Sequence, residues 1–151
     1  MIEITVRSIA LSKGRILVQR DVRDPGGPYA FIGGHVKLGD TLAGRLKQEY
    51  EEETTARVVD CAYLFVLERQ LLVDGRLTQT IDHFFEVTLD REEVESGESH
   101  LSQHWLPVAS LRDYDLRPWI VRDVIAEGRL HRVRHLVLPP DGGLEGKDVD
   151  R

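Results

Sequence analysis

Along the chain, β-branched and apolar residues gather in short runs separated by turn-forming residues. Residues 2–10 are rich in β-branched side chains and residues 15–20 hold the apolar core Ile16, Leu17 and Val18, so the Ser12-Lys13-Gly14 turn between them predicts a hairpin. Asp24-Pro25-Gly26-Gly27-Pro28 breaks both helical and strand periodicity and predicts a loop over residues 21–29. The apolar pair Phe31-Ile32 and a second glycine-rich turn, residues 33–39, lead into a helix expected over residues 41–53, with Asp40 as its N-cap.

Further on, residues 57–67 and 70–73 read as two strands, Asp74-Gly75 as the turn into a long strand over residues 77–89, and residues 90–100 as an acidic loop. Trp105-Leu106-Pro107-Val108 ends a short strand. Residues 118–127 predict an amphipathic helix that packs through Trp119, Ile120, Val124 and Ile125 and stops at Gly128. Residues 130–138 alternate as one more strand, and the polar, glycine-bearing residues 139–151 predict a flexible tail. Strands flanking a central helix, with a second helix near the C-terminus, predict an α/β fold in which a mixed sheet lies between helices, as one domain over residues 1–138.

Composition narrows the function more than the fold. A chain of 151 residues, 41% hydrophobic and 30% charged, has the make-up of one ordinary globular domain. Its formal net charge of -6 argues against binding a nucleic-acid polymer or an anionic membrane surface, both of which require a basic face. A phosphate-bearing ligand must then be met locally. Cys61 is the only cysteine, so no internal disulfide forms, and it is expected as a small buried hydrophobe. No basic segment with a following apolar run opens the chain, and no later run reaches bilayer length, so a cytoplasmic location is expected.

The helix of residues 41–53 carries the candidate chemistry. At roughly 100° per residue, Glu49, Glu52 and Glu53 share one face, beside the apolar stripe of Leu42, Ala43, Leu46 and Tyr50. Gly44, Lys47, Gln48 and Glu51 point away. An ordinary solvated acidic face would lie opposite the stripe, and only Glu51 does. Acids at a helix C-terminus also face its carbonyl dipoles, which disfavours them unless a cation is near. Arg45, one turn before Glu49, is a structural partner; a hard divalent cation such as Mg²⁺, which takes oxygen ligands, is the functional one.

Residues 34–56 resemble the Nudix signature G-x5-E-x7-R-E-U-x-E-E-x-G-U, where U is a bulky aliphatic residue. Gly34 opens the box, Glu49 matches the glutamate of the R-E pair, and Glu52-Glu53 match the E-E pair. Tyr29, Phe31-Ile32 and Gly33-Gly34 resemble the family's lead-in, Ile16 to Arg20 its apolar strand ending in arginine, and Trp105 to Val108 with Leu111 its closing segment. The box is degenerate: Asp40 stands for the first glutamate, Gln48 for the arginine, Tyr50 for the aliphatic residue, Thr55 for the glycine and Ala56 for the final aliphatic residue, with Ile32 at a usual proline.

The resemblance implies a Nudix-like α/β/α sandwich with a central mixed β-sheet and a metal-dependent hydrolase that cleaves a pyrophosphate bond in a nucleoside diphosphate linked to another group: a nucleoside triphosphate, ADP-ribose or a nucleotide sugar. It implies Glu49, Glu52 and Glu53 as ligands of Mg²⁺ or Mn²⁺, with Glu52, Glu53 or the loop acid Glu98 as catalytic base; Glu93 and Glu95 are less favoured. Arg20 and Arg23 are candidates to grip phosphate, with surface salt bridging as the alternative for Arg23. Gly33, Gly34, Tyr29 and His35 complete the candidate substrate contacts, although Tyr29 also suits packing and His35 an ordinary turn. His83 reads as structural or as a pocket wall, and His100 and His104 do not make a zinc pattern. The expected partner is a small nucleotide-type molecule, and a homodimer through residues 130–138 is the expected assembly if there is one. The alternative function is a catalytically silent Nudix-like nucleotide-binding or sensor module, which the altered Asp40, Gln48 and Thr55 favour and the three retained glutamates oppose.

Overall fold

The computed structural model describes residues 1–140. Nine strands run β1 (Ile2–Ser12), β2 (Arg15–Asp21), β3 (Tyr29–Ala30), β4 (Gly33–His35), β5 (Val58–Val73), β6 (Arg76–Leu89), β7 (Leu101–Pro107), β8 (Leu116–Arg117) and β9 (His135–Leu138). Two α-helices, α1 (Leu42–Glu53) and α2 (Trp119–Ala126), and a 3-10 segment, Val108–Asp113, complete the described elements.

Both predicted tight hairpins form, each through two consecutive residues of positive φ: Lys13 and Gly14 at 52° and 74°, Asp74 and Gly75 at 52° and 75°. Such turns carry the twist of the strands they join. The strand order is β8-β3-β2-β1-β6-β5-β9, with β4 also on β1 and β7 also on β2. β1 runs parallel to β6 from Ile2 to Ala10, then pairs antiparallel with β2 at Leu11 and Ser12, so one long strand ties the two halves of the sheet together. The sheet is mixed, as expected.

Helices cover both of its faces because successive side chains on a strand point oppositely. Ile9, Ile16, Val18 and Phe84 join Val121, Val124 and Ile125 of α2 in one core. Their neighbours Ala10, Leu17 and Phe85, with Val6, join Leu46 and Tyr50 of α1 in the other. Strands buried on both sides therefore read as nearly continuous apolar runs, and the α/β/α sandwich follows.

Several boundaries differ from the sequence expectation. Residues 57–67 and 70–73 are one strand, β5, because Glu68, Arg69 and Gln70 keep pairing with Ile81, Thr80 and Gln79 of β6. Only His135–Leu138 of the expected strand over residues 130–138 is extended; it pairs parallel with β5 at the end of the strand order. The N-cap of α1 is Thr41, whose hydroxyl accepts the Gly44 N–H at 3.0 Å, and not Asp40. Cys61 is half-buried against the α1 core instead of fully enclosed. α2 stops as expected, with Gly128 at φ 70° just beyond its C-cap Glu127. Of the predicted tail, residues 141–151 lie outside the described residues.

Candidate active site

The acidic end of α1 is assembled by three neighbours. The first is β4: glycine is required at residue 33 because a Cβ there would lie 2.0 Å from the Val6 carbonyl oxygen, whereas a Cβ at residue 34 would lie 2.3 Å from Glu49 Oε1 and displace that carboxylate. The glycine pair thus lets β4 lie against β1 and lets the Glu49 carboxylate lie against β4. The second neighbour is the acidic loop. Thr55 N–H donates to the Glu95 carbonyl, and Glu95 N–H donates back to Thr55 Oγ1, both at 3.0 Å. Thr54 bridges Ser96, and Gly97 N–H donates to the Glu53 carbonyl at 2.8 Å, so Glu98 is carried to the helix end. The third is β2, whose Gln19 side chain lies close enough to Glu53 to favour its charged form.

The three glutamates of α1 are not equivalent. Glu49 is largely enclosed, its side chain 15% exposed, with the Arg45 guanidinium 3.6 Å away. Burial and the neighbouring Glu52 raise its carboxyl above the ordinary value, against the pull of Arg45 and Arg7. Glu53 is more strongly affected: burial first, then repulsion by Glu49, push its carboxyl up to about 7, and Glu98 adds to the effect while Gln19 and Arg7 oppose it. One oxygen of Glu53, Oε1, is buried without a hydrogen-bond partner. Glu52 is exposed and accepts a hydrogen bond from Gln48 Nε2 at 3.1 Å.

Three departures from the Nudix signature, Asp40, Tyr50 and Thr55, have local partners. Asp40 accepts Arg45 Nε at 2.8 Å and the Lys37 N–H at 2.8 Å, so Arg45 joins Asp40 to Glu49 from one turn earlier than the signature arginine. Tyr50 fits an apolar position because its buried hydroxyl meets Ser8 Oγ at 2.7 Å. Thr55 needs no glycine, since only Lys13 and Asp74 among the described non-glycine residues have positive φ, and its hydroxyl fastens the loop.

The other predicted residues are distributed unevenly. Arg20 lies over the Tyr29 ring at 4.7 Å, and Tyr29 packs edge-on against His104 and Tyr114. Arg23 forms a two-bond pair with Asp21 at 3.0 and 2.8 Å, and His35 turns to Glu3 at 3.0 Å. His83 meets the Tyr63 hydroxyl, His104 meets Ser102, and His100 lies 3.4 Å from Glu98, so the histidines do not converge. Three residues escaped the sequence reading. Gln103 donates to Gln19 at 3.1 Å, continuing the chain that holds Glu53, and its own Oε1 is buried and unpartnered. Arg7 sends its charge toward both Glu49 and Glu53. The signal available for Gln19 and Arg7 was a long polar residue directly after an apolar one within a strand, Val18 before Gln19 and Val6 before Arg7.

The donor set suits a hard divalent cation: carboxylate oxygens, one of them buried and unsatisfied, surround the helix end. Among the described residues, no three His, Cys, Asp or Glu side chains are already gathered into a cation cage. Mg²⁺ commonly takes only one or two carboxylates and fills its shell with water and phosphate oxygens, so a complete protein cage is not demanded.

A family profile described as the NUDIX domain matches residues 3–127. The chain belongs to the Nudix family and is, by class, a Nudix-type pyrophosphohydrolase. Among solved structures it is similar to a MutT protein from Bacillus halodurans, with TM-score 0.68, 16% identity and 92% of each chain covered. It is also similar to a MutT NUDIX hydrolase from Burkholderia pseudomallei, with TM-score 0.67, 17% identity, and 84% of this chain and 97% of that one covered. The ORF135 protein of E. coli shows 23% identity over 87% of this chain and 91% of its own, with TM-score 0.58. These likenesses support the fold. No curated protein matches the sequence significantly. No helix among the described residues is long and apolar enough to cross a membrane.

Proposed function

We propose that the chain hydrolyses a pyrophosphate bond in a small nucleoside diphosphate derivative with the help of Mg²⁺ or Mn²⁺, at the C-terminal end of α1. The observation that carries this reading is Glu53: a half-buried carboxyl pushed up to about 7, with one oxygen buried and unpartnered, beside Glu49 and within the field of Glu98. Carboxylates crowded in this way favour a cation between them, which offsets the upward push, and leave Glu98 or an uncoordinated oxygen of Glu53 to take the water proton. Glu49 and Glu53, with Glu52 from the exposed side, would hold the cation, which when bound supplies charge neutralisation on the diphosphate.

In the proposed reaction a water oxygen forms a new bond to one phosphorus as that phosphorus parts from the bridging oxygen. One water proton passes to Glu53 or Glu98, and the departing phosphate carries the bridging electron pair. Arg45 holds Glu49 and Asp40 in place, and the Gln103–Gln19 chain orients Glu53. Arg20 lies on the face of β2 opposite Gln19, stacked on Tyr29, and would have to shift from the ring to reach a phosphate oxygen. Arg23 and His35 would have to leave Asp21 and Glu3 to reach the substrate, so they rank below Arg20.

The test is product release from nucleoside triphosphates, ADP-ribose and nucleotide sugars with Mg²⁺ or Mn²⁺, comparing the unmutated chain with Glu52→Gln and Glu53→Gln. Metal-dependent turnover that falls at least about a hundredfold in Glu53→Gln supports the assignment. Turnover that is indifferent to chelation and to both substitutions overturns it.

A further inference from the structure

A cavity of about 270 Å³ opens between β1, β3, β5, β6 and β8. Phe31 and Phe84, both buried and edge-to-face at 5.4 Å, contribute apolar walls. The charged groups among its lining residues are three arginines, Arg7, Arg69 and Arg117, and one carboxylate, Asp82. In a chain with a net charge of -6, this is a locally cationic recess.

The arginines differ in what already occupies them. Arg69 reaches Asp82 at 3.5 Å and Thr80 at 3.4 Å. Arg117 is held by Asp115 through two bonds of 2.9 and 3.0 Å. Asp82 in turn accepts the Thr5 hydroxyl at 2.7 Å. Arg7, half-buried, makes one hydrogen bond, to the Phe31 carbonyl at 3.3 Å, and no ion pair with any described residue. A guanidinium keeps its charge and offers five donors in a planar fork, so withdrawing it from water without an anion is costly. That burial lowers its pKa, with Asp82, Glu53 and Glu49 opposing the effect from a distance. A neutral sugar or an unsubstituted base in the recess would leave those donors without a strong acceptor.

We propose that this recess recognises a second anionic group of the substrate, a phosphate or a carboxylate beyond the scissile diphosphate, with Arg7 as the principal contact and Arg69 and Arg117 as flanking charges. The substrate class is thereby narrowed to diphosphate compounds bearing an additional acidic substituent. The assignment of the substrate's far end rests on the hydrolytic reading above, because it places the diphosphate over Glu49 and Glu53, the acids that feel the Arg7 charge. Two paired arginines frame an unpaired one, an arrangement that suits bidentate binding of a planar carboxylate or a phosphate face.

The test is calorimetric binding to Glu53→Gln protein with Mg²⁺, using two pairs of probes that each differ by one acidic group: NADP⁺ against NAD⁺, and UDP-glucuronic acid against UDP-glucose. We expect the acidic member of at least one pair to bind tenfold or more tightly, roughly the value of one charge-assisted contact. The pair that responds tells phosphate from carboxylate. Adding Arg7→Met should reduce the preference below about threefold, read as the ratio within each pair so that any effect common to both members cancels. If circular dichroism shows that Arg7→Met does not fold, Arg7→Lys, which keeps the charge and loses the fork, should give an intermediate preference. Equal affinity within both pairs, no binding of any probe at millimolar concentration, or a preference that survives loss of the Arg7 guanidinium overturns the proposal. Turnover by the unmutated chain is scored separately: its absence beside an Arg7-dependent preference removes the hydrolytic reading and leaves the recess as an anion site.

Discussion

The Glu49 carboxylate occupies the space that a side chain at Gly34 would need: a Cβ built on Gly34 would stand 2.3 Å from Glu49 Oε1 and 2.5 Å from its Cδ. The helix supplies the acid and the glycine turn supplies its seat, so the two ends of the signature meet in space. Gly33, one residue earlier, does something different, since the atom facing its missing Cβ is the Val6 backbone oxygen at 2.0 Å.

This contrast separates function from stability. Gly34→Ala displaces the end of a side chain, so it should fold with a melting temperature close to that of the parent while hydrolysis falls by about tenfold to a hundredfold, as a reacting group moved by about an ångström does. Gly33→Ala forces β4 away from β1 and should unfold at markedly lower temperature, by about 2 kcal/mol or more of stability. Thermal melts with matched rate assays distinguish the two; similar melts for both variants would contradict the assignment.

Glu53 should be visible as an anomalous acid. In the metal-free protein, NMR titration of labelled glutamate carboxyls should show one group titrating near pH 7, absent in Glu53→Gln, and Mg²⁺ should move it downward. The stability consequence has a fixed sign. The folded carboxyl is raised above its ordinary value of 4.5, so the stability of the parent is greatest below that value and declines as pH rises through about 7. Glu53→Gln should then gain roughly 1 kcal/mol over the parent at pH 8, after allowance for solvent screening, and nothing at pH 4.

Arg45 takes over what the signature assigns to position 48. Arg45→Met leaves Asp40 and Glu49 without their shared cation, and turnover should fall at least about tenfold with a lower melting temperature. The Arg45 guanidinium holds the Asp40 carboxyl below the usual range, so the stabilisation is present at neutral pH and is lost on acidification through the lowered value. Gln48→Ala loses only the exposed bond to Glu52 and should change turnover less than about threefold. Equal damage from both substitutions would refute this division of roles.

Gln19→Leu tests the chain from β7 to the acid. It removes the polar group that opposes the upward shift of Glu53, so the titration of that carboxyl and the acidic limb of the rate profile should both move to higher pH. A rate loss with an unmoved profile would mean that Gln19 acts only through packing.

The sequence by itself determined the hairpins at Lys13-Gly14 and Asp74-Gly75, a helix over residues 41–53 that forms from Leu42, and the acidic face it carries, because turn chemistry and helical spacing are local. It also determined the family, since the spacing of Gly34, Glu49, Glu52 and Glu53 is a linear pattern. Strand limits were less legible: β5 continues through Glu68-Arg69-Gln70 only because β6 pairs along its whole length, and Leu130 to Arg134 stay out of β9 because the register with β5 begins at His135, Arg134 giving Val66 only its carbonyl. Tertiary structure alone decided the environment of the acids. Asp40 and Thr41 are neighbours with interchangeable capping chemistry, and the position of Arg45 gave Asp40 an ion pair and left the cap to Thr41. The three glutamates share a helix face, yet Glu53 is half-buried beside β2 and the acidic loop while Glu52 meets water, a difference that no periodicity contains. Arg7 and Gln19, on strands distant in sequence from α1, reach its acidic end because the sheet brings β1 and β2 under it; side-chain spacing along one element cannot report what another element places opposite.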